Sequence, residues 1–189
     1  DFTHMVSESD TTNNMAVYPV PVLIQDLQTP VDEALLGRVA GNIVVKTNRY
    51  RELRNLPPLR YDPDLGSVAL GHSLDMASRT FFSHLTPEGV DPTGRAERAG
   101  YDTTRRLRDG EIRRGIAENI IKISAGYTIG KKFSGFVDPS DPQSVADVMM
   151  IEWISSPDHD KNLLDPNIDR IGVGITFDGE FFYGTQNFY

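Results

Sequence analysis

The chain has 189 residues, enough for one sizeable buried core, and its 39% hydrophobic and 24% charged shares are ordinary for a globular domain. A formal charge of -8 excludes the dominant basic surface that broad nucleic-acid binding requires, and no apolar run approaches the ~18 residues of a membrane span. The absence of cysteine excludes disulfides, thiolate metal sites and a cysteine nucleophile, and leaves the compartment undefined.

Residues 1–5, with Met5 directly after His4, read as a remnant of a cloning junction. The first residues show no basic-plus-apolar leader, so any signal peptide is expected to have been removed or never present. Residues 6–29 read as an extension lying along the domain surface. Its most apolar stretch, Met15 to Ile24, is interrupted by Pro19 and Pro21. The domain proper is expected to span residues 30–189. Pro30 opens a helix with Asp32 and Glu33 in its first turn, where carboxylates complement the helix dipole. Leu35, Leu36, Val39, Ile43 and Lys46 carry its i, i+3, i+4 spacing to about Arg54, and Pro57-Pro58 ends it.

Asp62-Pro63 starts a second helix, as N-cap and first helical residue. Its stripe is Leu65, Val68, Ala69, His72 and Met76, on which His72 reads as a hydrogen-bonded core histidine. A short helix is expected over residues 94–99, closed by Gly100. Residues 102–115 and 122–140 read as polar surface excursions. Asp141-Pro142 starts a third long helix, to about Ile154. The chain ends in a hairpin, residues 171–177 and 181–188 around Asp178-Gly179, a dipeptide suited to a turn with two positive φ angles. Helices segregated from an antiparallel hairpin predict an α+β domain.

Four residues stand out chemically. From Val145 to Ile154 only Asp147 and Glu152 are polar, and Glu152 shares a face with Val145, Val148 and Met149. A carboxylate there must be paired, protonated or metal-bound, because desolvating it alone costs several kcal/mol. The alternatives are that it reaches past the edge of the stripe or pairs with an arginine of the first helix. His84 follows Phe81-Phe82 and precedes a loop marked by Pro87 and Gly89. His159 lies in Ser156-Pro157-Asp158-His159. Glu118 alternates with Ile116 and Ile120, so an extended segment places it on an apolar face. Two imidazoles and one or two carboxylates are zinc-type donors, although no local metal signature such as His-Glu-x-x-His is present.

These segments, taken together, resemble the CAP superfamily of cysteine-rich secretory, antigen 5 and pathogenesis-related proteins, in its cysteine-free prokaryotic branch. The resemblance covers roughly residues 30–189. Its carriers are Asn48-Arg49-Tyr50-Arg51, Leu59-Arg60-Tyr61-Asp62-Pro63-Asp64-Leu65, Phe82-Ser83-His84, Gly94-Arg95, Ala99-Gly100-Tyr101 and Ala117-Glu118-Asn119-Ile120. Trp153, Ser156-Pro157-Asp158-His159, Asn162-Leu163-Leu164, Ile171-Gly172-Val173-Gly174 and Thr185-Gln186-Asn187-Phe188 complete the series. The resemblance implies an α-β-α sandwich with a central antiparallel sheet between helices. It also implies export to the cell surface or medium, and a cleft of two histidines and two acids that in some members binds a divalent cation. His84, Glu118 and His159 match the motif positions. The second acid does not: the eukaryotic pattern has it where this chain has Ser156, so either Glu152, one turn earlier on the same face, substitutes for it or this branch works with three groups. Asp158 replaces the usual glycine, adding negative charge beside the site.

Between residues 95 and 114 lie seven arginines and four acidic residues, a local charge of about +3. One reading is a solvated loop paired with its acidic surroundings. The other is an anion-binding rim for an extracellular ligand, formed by Arg105, Arg106, Arg108, Arg113 and Arg114, with Lys131 and Lys132 extending it. Three functions follow. The first is a binding module with a divalent cation, zinc foremost, held by His84, Glu118 and His159, with or without Glu152. The second is a metal-dependent hydrolase with Glu118 or Glu152 as general base. The third is an apolar-ligand carrier, a role the resemblance implies from some relatives.

Overall fold

A computed structural model describes residues 31–106, 110–129 and 133–189. The expectations for residues 1–30, Arg108 and Lys131-Lys132 lie outside these. Helix α1 (Glu33–Leu53) is capped by Asp32, whose side chain accepts from Leu35 N, so Asp32 stands one step before the first turn. A two-residue strand, β1 (Arg60–Tyr61), leads into α2 (Pro63–Ser78), capped by Asp62 as its Asp-Pro start predicts. Helix α3 (Pro92–Arg98) begins two residues before the expected Gly94. The Asp91-Pro92 dipeptide repeats the same start signal, and Asp91 accepts from Gly94 N. The two supposed excursions are hairpins. Strands β2 (Thr104–Arg106) and β3 (Ile112–Arg114) form the first. Strand β4 (Ala117–Ser124) then crosses the domain before β5 (Gly126–Ile129) and β6 (Ser134–Val137) form the second.

Helix α4 (Pro142–Ile154) and the short α5 (Pro157–Leu163) precede the closing hairpin of β7 (Arg170–Phe177) and β8 (Phe181–Phe188). The hairpin turn differs from the two-residue expectation. Only Gly179 has a positive φ, +103°, while the Asp178 carboxylate accepts from the backbone N–H groups of Glu180 and Phe181. The side-chain bonds replace the second strained backbone conformation.

The main sheet runs β1-β7-β8-β4. Its three long strands are antiparallel, and β1 joins β7 in parallel over one pair of residues each. Strand alternation divides the core. Ile121, Ile123, Val173, Ile175 and Phe182 pack with α1 and α4, around the fully buried Trp153. Ile120 and Tyr183 lie on the other face with Met76 of α2. There, α2 lies so close to β7 that a Cβ at Gly174 would run into the backbone of Ala69 and Leu70. Helices therefore cover both faces, as the α-β-α expectation requires. No helix among the described residues is long and apolar enough to cross a membrane.

Candidate functional site

Glu118 sits near the start of β4 on the α2 face, with Ile116 and Ile120 of the same parity, as the alternation predicts. Its carboxylate is 1% exposed. An uncompensated charge there would be costly, and two donors compensate it. His84 Nδ1 lies 2.8 Å from Oε1, and the Arg95 guanidinium pairs with Oε2. With Nδ1–H given to the carboxylate, a neutral His84 ring carries its lone pair on Nε2. That ring is 49% exposed, so it stands at the surface with its inner nitrogen anchored to a buried acid.

The loop holding His84 is fastened at several points. Arg95 Nη1 donates to the carbonyls of His84 (2.7 Å) and Val90 (3.1 Å), joining α3 to both ends of the loop. His72 Nε2–H donates to the Ser83 carbonyl at 3.0 Å. His72 is fully buried, and burial pushes its pKa below the ordinary imidazole value. The nearby Glu118 opposes that shift without reversing it. The core-histidine reading is thus correct, and the ring positions the residue preceding His84.

His159 is placed by α5. The outer edge of β4 offers the carbonyls of Glu118 and Ile120, which accept from Asn162 Nδ2 and Trp153 Nε1, each at 3.2 Å. Asn162 also donates to Asn119 Oδ1 (2.9 Å), and Asn119 Nδ2 donates to the His159 carbonyl (3.2 Å). At the far end of α5, the buried Arg51 guanidinium donates to the carbonyls of Pro57, Leu163 and Asp165. Burial lowers the pKa of His159. The neighbouring His84 lowers it further, and Asp158 acts in the opposite direction.

Glu152 does not join them. Its Oε1 accepts from Phe133 N at 2.8 Å, which ties α4 to the approach of β6. The cause is the sheet: α4 covers the face of Ile121 and Ile123, whereas Glu118 points to the opposite one. One partner of this carboxylate is thus a backbone N–H. Arg95 is the site residue that the sequence reading missed, having counted it in the basic window. Its position just inside an Asp-Pro helix start, after the His84 loop, was the available signal.

The basic window proves largely paired. Arg105 bonds Asp169 (2.8 Å), Arg113 bonds Asp165 (2.8 Å) and Arg114 bonds Glu97 (2.6 Å). Arg106 is exposed on β2. The paired-loop reading accounts for three of the five arginines.

A catalytic zinc ion needs three protein donors gathered at one point. Among the described residues, no group of three or more His, Asp or Glu side chains could hold a metal ion together. The three-ligand set of catalytic zinc is therefore not assembled. Two imidazoles with a carboxylate behind one of them are a different set. Glu118 holds His84 Nδ1 at 2.8 Å.

Comparison with known proteins agrees with this fold. Residues 44–188 match the model of the CAP, cysteine-rich secretory protein family. YkwD of Bacillus subtilis, described as uncharacterized, is 30% identical over 148 residues, covering 77% of this chain and 45% of its own length. An extracellular protein of Bacillus anthracis containing an SCP domain superposes with a TM-score of 0.59 at 27% identity, over 80% of this chain and 40% of that one. An outer surface protein of Borrelia burgdorferi shares the fold at 18% identity, with a TM-score of 0.53, over 79% of this chain and 91% of that one. The chain thus spans less than half of the two Bacillus proteins. With the family match covering the sheet, α2 to α5 and His84, Glu118 and His159, the chain belongs to the cysteine-rich secretory protein (CAP) family.

Proposed function

We propose that this domain is an exported binding module whose cleft takes a divalent cation, zinc foremost, between the imidazoles of His84 and His159. The observation that carries this reading is the buried Glu118 carboxylate fixed to His84 Nδ1, which leaves Nε2 as the outward lone-pair donor. A carboxylate behind a ligating imidazole fixes its tautomer and raises its basicity. His159, whose pKa is lowered by burial, supplies the second neutral ring. Two protein donors leave coordination positions open, so the cation can also engage a donor on an extracellular ligand. Descriptions of structural neighbours as extracellular or outer surface proteins support export.

The hydrolase reading has less support. A general base must reach its proton, and both oxygens of Glu118 are engaged, by His84 and by Arg95. Zinc titration of the full chain by calorimetry tests the proposal. One ion per chain is expected, lost in the His84→Ala, His159→Ala double variant and weakened about 10- to 100-fold in Glu118→Gln. Equal stoichiometry in the wild type and the double variant would refute it.

A further inference from the structure

Alternation puts every second residue of β8 on the α2 face. Thr185 meets Ser73 of α2 there, their hydroxyls 2.8 Å apart, and Tyr189 packs with Leu65, Val68, Ala96 and Ile116. Asn187 lies between them, so its side chain enters the same layer. Residues paired across a sheet share a face, and the partners of Asn187 are Glu118 on β4 and Gly172 on β7. The Glu118 carbonyl is turned outward to Asn162. Glu118 and Asn187 are therefore a non-hydrogen-bonded pair, the kind whose side chains stand closest. On the other side, Gly172 brings the backbone of Leu65 and Gly66 down onto the sheet.

Asn187 is thus 0% exposed beside a buried carboxylate, yet neither its Oδ1 nor its Nδ2 has a hydrogen-bond partner among the described residues. Two further buried atoms in this condition belong to residues around the same acid. Arg95 pairs with Glu118 through a terminal nitrogen and leaves its Nε–H unmet. His72, with Nε2 3.9 Å from Glu118 Oε1, gives that N–H to Ser83 and keeps an unmet lone pair on Nδ1. Buried polar groups of folded proteins are met by protein or by ordered water, so three such residues around one carboxylate call for a common ligand.

The unmet groups select its chemistry. Asn187 Nδ2 and Arg95 Nε are donors, whereas Asn187 Oδ1 and His72 Nδ1 are acceptors. A cation would leave the donors unmet, and an anion the acceptors. Charge is already balanced, because the Glu118 carboxylate faces the Arg95 guanidinium. The set calls for a neutral molecule that both donates and accepts, and water is the smallest. Glu118 has capacity for it: a carboxylate accepts about four hydrogen bonds, and His84 and Arg95 take one each.

We infer that Asn187 holds at least one enclosed water against the Glu118 carboxylate. Asn187 is thereby a positioning residue, acting on His84 through the water and the acid.

The metal-free chain tests this, so the outcome is independent of the zinc titration. In a crystal structure, an ordered water should lie within about 3.2 Å of both an Asn187 amide atom and a Glu118 oxygen. An Asn187 amide bonded to protein groups alone would overturn the site. Asn187→Leu keeps the approximate shape and removes both polar atoms. Its water-oxygen relaxation dispersion should report at least one fewer long-lived water per chain than the wild type, and an equal number would overturn the site. Positioning is read on the imidazole nitrogens of His84. Their single-tautomer pattern should become mixed in Asn187→Leu and return in Asn187→Ser, whose hydroxyl restores a donor and an acceptor with room for water. A pattern unchanged in Asn187→Leu, or not recovered in Asn187→Ser, would overturn the positioning role. Should Asn187→Leu fail to fold, the wild-type protein decides. A cross-relaxation peak between water and the Asn187 side-chain amide is expected, and its absence would refute the enclosed water.

Discussion

Replacing Glu118 by glutamine tests the centre of the site with almost no change in shape. The carboxylate is 1% exposed and takes charge-assisted bonds from His84 and Arg95. Such a bond contributes about 1.5–3 kcal/mol, and an amide retains a single acceptor oxygen, so one donor must face the new NH2 group. Arg95, 11% exposed, also loses its countercharge. Breaking a buried pair outright costs about 3–5 kcal/mol, and the retained bond brings the expectation for Glu118→Gln to about 2–4 kcal/mol. For a domain of this size that is a fall of roughly 6–12 °C in Tm. Urea unfolding of wild type, Glu118→Gln, Arg95→Met and the double variant closes a cycle, with a coupling of about 2 kcal/mol expected. The imidazole nitrogen spectrum of His84 should lose its single-tautomer pattern in Glu118→Gln. A loss below about 0.5 kcal/mol with no coupling to Arg95 would mean that the carboxylate is solvated, and the reasoning would fail.

Stability should also depend on pH through His72. Its pKa is lowered by burial, so between the folded value and the unfolded value near 6.5 the unfolded chain binds more protons. The histidine contribution is complete above pH 6.5 and is lost as pH falls below it, by up to about 1.4 kcal/mol per unit. In His72→Gln, denaturation midpoints between pH 7 and 5 should vary less steeply than in wild type. Gly174→Ala should cost at least about 2 kcal/mol, because its Cβ meets α2 backbone that cannot rotate away. Thermal unfolding reads this, and an unchanged Tm would contradict the close contact. Arg51→Met should lower stability by about 3 kcal/mol, since the carbonyls of Pro57, Leu163 and Asp165 lose their donor. It should also loosen α5, read as faster amide exchange at Asn162 and Leu163.

The helix starts at Asp62-Pro63 and Asp141-Pro142, the buried stripe containing His72, and the alternation that turns Glu118 inward were legible because each rests on interactions within a few residues. Asp91-Pro92 was equally legible and was passed over. The two hairpins in the polar stretches were hidden by exposed arginines and glycines, which carry no alternation. The turn at Asp178 departed from its dipeptide rule because a side-chain oxygen satisfied two backbone donors.

The site divides in the same way. Local sequence singled out the candidate residues: His84 after its aromatic pair, Glu118 between two isoleucines, and His159 in an expected loop that the structure shows as the start of α5. Only the tertiary structure decided who meets whom. It gave Glu118 to Arg95, and it left Glu152 on the far side of the sheet, bonded to Phe133 N. The physical reason is that a buried charge takes whichever partner the sheet places on its face, and sheet order depends on contacts between β4, β7 and β8 far apart in the chain.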